Sequence, residues 1–274
     1  MSPRFPQEIF DYIIDYNQHQ VKVLKTYSTV CKRWAVRSRS YLFDRLHIRI
    51  PADLDLWCQR IPSAIDGPSR YVKVLYIHAG VTPLVCEPRP LDPYLDHFSA
   101  LTYVAGLILG GYRGSKLRLD VAFQCFSGFK NTLRWLKLTS NSFRFEEISR
   151  ILEFFPNLET LLLWPPKIRP SDEKEPFQPP GRAVFPRLTR LDFHPISESL
   201  LEHHLLTGFA GASMDLESLT VLGPISDPGV VQKLLDSSAK SLTDLRILPL
   251  GKSCSWCYAH TTLIIHPLSP PRRA

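Results

Sequence analysis

The sequence lacks the spacings on which the common catalytic families depend. It contains no G-x-S-x-G, no Walker-type glycine loop, no H-E-x-x-H and no glycine-rich dinucleotide fingerprint. The run Gly110-Gly111-Tyr112-Arg113-Gly114 is rich in glycine, but no lysine or helix-opening Ser or Thr follows it at the required spacing, so it reads as a turn. Long apolar runs are absent too: the uncharged stretch Ala100 to Tyr112 falls well short of the ~20 residues a membrane-spanning helix requires. The opening MSPRFPQEIF has no apolar stretch of the kind that forms a secretory signal, and the six cysteines are scattered, so reduced thiols and a cytoplasmic or nuclear location are expected, with no membrane association. Cys254, Cys257, His260 and His266 offer four potential zinc ligands. The gap from Cys257 to His260 is far shorter than the ~12 to 15 residues of the familiar finger, so neither a metal nor a cofactor is expected. His203 and His204 sit beside a helical row of Leu201, Leu205 and Phe209 and read as side chains flanking a buried face.

What is present is a chain of 274 residues with 44% hydrophobic content, enough to bury a sizeable core in one or two domains. The net charge of +7 is unevenly placed. Residues 1 to 50 hold nine Lys or Arg against four acids, leaving the rest of the chain near balance. A basic field of this kind steers toward an acidic protein or toward nucleic acid. With no aromatic stacking platform legible beside those basic residues, a protein partner is expected and nucleic acid is not.

The template L-x-x-L-x-L recurs along the chain. It begins at Phe43-x-x-Leu46-x-Ile48, Val72-x-x-Leu75-x-Ile77, Val104-x-x-Leu107-x-Leu109 and Leu133-x-x-Leu136-x-Leu138. It continues at Leu158-x-x-Leu161-x-Leu163, Leu188-x-x-Leu191-x-Phe193, Leu216-x-x-Leu219-x-Val221 and Leu242-x-x-Leu245-x-Ile247. Successive copies start 29, 32, 29, 25, 30, 28 and 26 residues apart. In a short strand alternate residues share a face, so Leu136 and Leu138 should point inward while Trp135 and Lys137 point out. Between the copies the period changes to a helical one, as in Leu54, Trp57, Cys58 and Ile61, in Ile148, Ile151, Leu152 and Phe155, and in Val231, Leu234 and Leu235. The alternation predicts an α/β fold of stacked strand and helix units in which each unit is stabilised by its neighbours. In the fourth copy Asn141 and Phe143 fall where a leucine-rich repeat has its turn asparagine and next buried residue, and the chain resembles an irregular form of that repeat. The resemblance implies a leucine-rich-repeat solenoid over 46–250, with parallel strands on its concave side and helices on its convex side. Outward residues such as Trp135, Lys137, Glu159, Thr189, Glu217 and Asp244 are the expected contacts with a target.

Two segments break the pattern. Pro165 to Arg182 carries six prolines and mixed charge, and so should be a surface loop. Residues 251–274 leave the repeat and end in Ser-Pro-Pro-Arg-Arg-Ala, which reads as an irregular tail.

Ahead of the repeats, residues 1–45 predict a small helical unit. Pro6 and Glu8 suit a helix start, Ile9, Ile13 and Tyr16 fall on one face, Val21 and Leu24 supply a second segment, and Val30, Trp34 and Ser38 supply a third. About forty residues cannot close a good core alone, so a covering partner is implied. The pattern of Phe5, Pro6, Glu8 and Ile9, then Leu24, then Val30, Cys31 and Trp34 resembles an F-box, with Phe5 where that family usually has leucine. The resemblance implies docking on a Skp-type adaptor, and through it on a cullin-type ubiquitin ligase. Phe5, Pro6, Ile9, Ile13, Leu24, Val30, Cys31 and Trp34 would be the adaptor contacts. The role this implies is non-enzymatic: a monomeric substrate-recognition subunit within a ligase complex, its target unknown. The alternative is an interaction scaffold that never meets a ligase.

Overall fold

The computed structural model describes residues 6–49, 51–60, 67–78, 92–110, 119–139, 145–164, 185, 187–194, 207–209, 212, 214–222 and 228–248. Three helices come first: α1 (Gln7–Tyr16), α2 (Val21–Tyr27) and α3 (Lys32–Leu42). Strands and helices then alternate as β1 (Arg45–Ile48), α4 (Pro51–Arg60), β2 (Val74–Ile77), α5 (Asp92–Ser99), β3 (Gly106–Gly110), α6 (Leu119–Phe126), β4 (Trp135–Thr139), α7 (Phe145–Phe154) and β5 (Thr160–Trp164). β6 (Arg190–Phe193), β7 (Ser218–Leu222), α8 (Pro228–Ser238) and β8 (Asp244–Leu248) complete the described elements.

The eight strands form one parallel sheet in chain order, each pairing with the strand before and after it. Register follows the repeat. Leu46, Leu75, Leu107, Leu136, Leu161, Leu191, Leu219 and Leu245 stand side by side across the sheet. The step read from the sequence is therefore the step from one strand to the next. A one-residue slip at any copy would turn its leucines to the other face, and the burial of that leucine row holds the register.

From Leu75 to Leu219 the leucine row is fully buried, in one continuous core running from Ile48 to Leu245. The helices cover that side: Leu54 and Trp57 from α4, Phe98 from α5, Ile148, Ile151 and Leu152 from α7, and Val231 and Leu234 from α8 all join it. Aromatic rings fill the space where α6 and α7 meet, with Phe123 stacked on Phe154 at 4.2 Å and Phe129 near Phe155 at 6.3 Å. The entry to each strand has a repeated hydrogen-bond device. Arg134 and Trp135 both donate to the Ala105 carbonyl, Glu159 and Thr160 to that of Arg134, Thr189 and Arg190 to that of Glu159, and Glu217 and Ser218 to that of Thr189. Backbone donors are thus satisfied before the sheet begins.

Ile14 and Leu24 are buried among the first three helices, apart from the main core. The helices are not isolated from it, because α3 also packs on the 3-10 turn Pro68–Tyr71 that leads into β2. Two expectations shift here. Pro6 caps α1 with an extended backbone (ψ 145°) and is not its first residue. Val30 stands before α3, whose N-cap is Cys31, so the third apolar row begins at Trp34.

The proline-rich segment 165–182, the tail 251–274, Asn141, Phe143, Leu201, Leu205, the pair His203 and His204, and the cluster Cys254, Cys257, His260 and His266 lie outside the described residues. Among the described residues no helix is long and apolar enough to cross a membrane.

Candidate functional site

Two surfaces carry unsatisfied chemistry: the outer side of the first three helices, and the sheet face turned away from the helices. In the first, α3 packs against both α1 and α2. Trp34 lies between Phe10 (ring centroids 5.4 Å apart) and Tyr27 (5.0 Å, edge to face), which leaves it half-buried. Arg37 clamps Asp15 across α1 and α3, and Tyr41 donates to the same carboxylate at 2.8 Å. The Arg37 hydrogen bonds hold the Asp15 carboxyl below its ordinary pKa. Asn17 Nδ2 donates to the Ile13 carbonyl at 2.8 Å and closes the end of α1.

These contacts leave apolar side chains in water. Ile9 is 44% exposed, Val30 58% and Tyr16 76%, and Tyr12, Val21 and Val36 are exposed as well. Of the residues expected to meet an adaptor, Pro6, Ile9, Val30 and Cys31 are exposed, Ile13 and Trp34 are half-buried, and Phe5 lies outside the described residues. Leu24 is corrected to a core residue, 1% exposed inside this small unit. Tyr12 was not singled out from the sequence, although Ile9, Tyr12 and Tyr16 share helical i, i+3, i+7 spacing.

On the second surface, three side-chain rows cross the sheet. The first begins Arg45, Val74, Gly106, Trp135, Thr160, Arg190, Ser218, Asp244, and the second His47, Tyr76, Ile108, Lys137, Leu162, Asp192, Thr220, Arg246. Thr139, Trp164 and His194 lie in the third. Trp135 and Lys137 face outward on β4 as expected, and Asp244 opens β8. Glu159, Thr189 and Glu217 were expected as outward strand residues; each instead stands one residue before β5, β6 or β7, in the rim formed by the strand entries. Glu159 is also engaged there by Arg134 at 2.9 Å.

Aromatic contacts link the rows. His47 stacks on Tyr76 at 4.1 Å, Lys137 Nζ lies 4.2 Å from the Trp164 ring centre, and His194 stacks on Trp164 at 4.5 Å. The His47 and Tyr76 pair, which the sequence pattern did not show, stands beside Arg45 and Arg49 and is assembled from the neighbouring strands β1 and β2. His47 is held below its usual pKa by burial and by the positive charges of Arg49, His78 and Arg45. His194 is likewise lowered, chiefly by burial. At β6 the alternation fails in one place, since Asp192 is only 5% exposed on the outer row, where Arg190 grips it through bonds of 2.9 to 3.3 Å.

On the helical side an open groove of about 500 Å³ runs between α5 and α6, lined by Asp96, Ser99, Asp120, Phe123, Gln124 and Ser127. Its two hydroxyls are engaged locally, Ser99 with the Asp96 carbonyl and Ser127 with the Gln124 carbonyl. Among the described residues no group of three His, Cys, Asp or Glu side chains is placed to hold a metal ion.

No known protein family matches the chain when it is compared with family models, and no curated protein matches it in sequence.

Proposed function

We propose that this chain is the substrate-recognition subunit of a cullin-type ubiquitin ligase. In this reading the first three helices act as an F-box that docks on a Skp-type adaptor. The ladder of strands and helices is a leucine-rich-repeat solenoid, strands concave and helices convex, whose open sheet face selects a target protein in the cytoplasm or nucleus. Bond chemistry belongs to the rest of the ligase; the chain contributes proximity, raising the effective concentration of target lysines near the ubiquitin-charged enzyme. It works as a single copy within the complex.

The observation that carries the reading is the exposed set Ile9, Val30 and Cys31 together with a half-covered Trp34, on a unit whose own core is little more than Ile14 and Leu24. Isolated apolar side chains on a surface are ordinary, but several gathered on about forty residues mark an interaction site. A rival reading draws on the same residues: Phe10 and Tyr27 already cover part of Trp34, and α3 packs on Pro68–Tyr71, as a helical cap of a scaffold would.

One experiment separates the two. Full-length chain is mixed with purified Skp-type adaptor, and the complex is sought by size-exclusion chromatography. The ligase reading requires a stoichiometric complex that the Ile9→Asp variant loses while its circular dichroism stays unchanged. A folded wild-type chain that leaves the adaptor free overturns it.

A further inference from the structure

We infer that the outer face of β1 to β4 binds a short acidic peptide segment of a protein partner, with its carboxylates on β1 and β2 and an apolar side chain on Trp135. This deepens the reading of the sheet face as a target surface and names the chemistry it selects.

Charge is distributed unevenly across the face. Arg45, Arg49 and Lys73 gather at β1 and β2 together with His47 and His78, and among the described residues Asp44 and Asp53 are acids beside them, Asp53 accepting from the Arg49 backbone N–H at 2.9 Å. The Asp44 carboxylate is shared, 3.6 Å from Lys73 Nζ and 3.9 Å from Arg45 Nε, so among the described residues Arg45, Arg49 and Lys73 exceed the two acids. His47 is lowered first by burial, and Arg49, His78 and Arg45 lower it further, in keeping with the same positive field. Further along, charges are matched within this chain: Arg134 with Glu159, Arg190 with Asp192, and Arg246 with Asp244. Excess positive charge, and with it the pull on an anionic segment, is therefore greatest at the start of the sheet, with Lys137 over the Trp164 ring the further cation on β4.

The apolar half of the site is built by a glycine. A Cβ placed on Gly106 would lie 2.1 Å from Cε2 and Cζ2 of Trp135, so the indole rests directly on the β3 backbone. Any side chain at 106 would lift it. Held flat in this way, Trp135 presents a rigid anchor with little conformational entropy left to lose on binding. Half-buried Val74 and Ile108 lie between the basic end and this anchor. Three strand spacings separate β1 from β4, roughly 14 Å, which an extended peptide crosses in about four residues. The apolar floor between the two ends also sets the class of partner. A nucleic acid strand tracks successive phosphates with successive cations, whereas here Arg45 and Lys73 at the start of the face give way to Val74, Ile108 and Leu162, with Lys137, already set over the Trp164 ring, the cation among them.

The test uses the full chain and fluorescence anisotropy with three labelled probes: a glutamate run joined by a short Gly-Ser spacer to Leu-Phe, the same peptide with glutamine replacing glutamate, and a single-stranded RNA of equal charge. The expected result is saturable binding of the glutamate peptide that weakens steeply with added salt, with the glutamine peptide at least about tenfold weaker. Charge reversal by Arg45→Glu with Lys73→Glu should cost about tenfold or more, and Trp135→Ala or Gly106→Ala several-fold, in variants whose thermal unfolding shows them folded. Absence of binding, equal affinity for the two peptides, or tighter binding of the RNA overturns the inference. The adaptor complex serves as an independent readout: the Arg45, Lys73 and Trp135 variants should retain it, and its loss from wild type would overturn the ligase reading without touching the peptide site.

Discussion

Arg37 of α3 holds Asp15 of α1 with two donors, Nε reaching Oδ1 at 2.8 Å and a terminal nitrogen reaching Oδ2, so that one ion pair ties the first and last helices of the N-terminal trio together. Because hydrogen bonding to Arg37 lowers the folded pKa of Asp15, its contribution is present above the ordinary carboxylate range and is lost as pH falls through the lowered value. Asp15→Asn removes the charge at every pH. The variant should therefore be less stable than wild type at neutral pH, by no more than about 1 kcal/mol for so exposed a pair, and the gap should close in acid. Hydrogen exchange of α1 and α3 amides at two pH values checks this; a gap that persists or widens below the Asp15 pKa would contradict the assignment.

Exposure at the N-terminal helices separates the proposed adaptor contacts from core residues. Ile9→Asp and Val30→Asp should leave helical content unchanged while abolishing capture by a Skp-type adaptor, since both side chains already stand in water. Leu24→Asp should unfold the three helices, because an unpaired carboxylate would have to occupy a site that is 1% exposed. Circular dichroism measured alongside adaptor capture distinguishes the outcomes. If all three variants behave alike, the two groups of residues have been wrongly separated.

Adjacent residues on β4 should differ sharply. Leu136 is fully buried in the leucine row, and Leu136→Ala should lower the unfolding free energy by about 2 to 5 kcal/mol. Its neighbour Lys137 faces outward over Trp164, and Lys137→Ala should cost about 1 kcal/mol or less. Urea denaturation of both variants is the measurement, and similar midpoints would mean that the face assignment is reversed.

Thiol reactivity provides a chemical test of burial. Burial pushes the thiols of Cys58 and Cys125 up to about 11, and Cys125 is almost wholly enclosed. Only the thiolate attacks, so among the described cysteines iodoacetamide near neutral pH should label exposed Cys31 ahead of Cys58 and Cys125, which it should reach far more slowly until the chain is unfolded. Peptide mass spectrometry over time reads the order directly.

Much of the architecture is legible in the sequence because it is local. A period of two in each L-x-x-L-x-L copy and helical spacing between copies require only alternation and neighbours, which is why Leu136 and Leu161, or Ile148 and Ile151, could be placed before any fold was known. The spacing of the copies also carries the strand order, since units that bury their faces only by stacking must succeed one another in chain order. Which apolar residues of the first helices remain outside was less legible: Leu24 and Ile9 look alike in a pattern, and their difference arises from how α3 crosses α1 and α2.

Periodicity in the amino-acid order was sufficient to determine that strands alternate with helices, which leucines form the inner row, and that positive charge lies toward the N-terminal end. Only the tertiary structure decided that His47 meets Tyr76, that Trp135 lies on Gly106, and that Asp192 is closed over by Arg190. The first two join residues about thirty positions apart, and the last turns on side-chain direction. The physical reason is that a repeat specifies the face on which a side chain stands, while its neighbours on that face are set by lateral register, which exists only once the strands have paired.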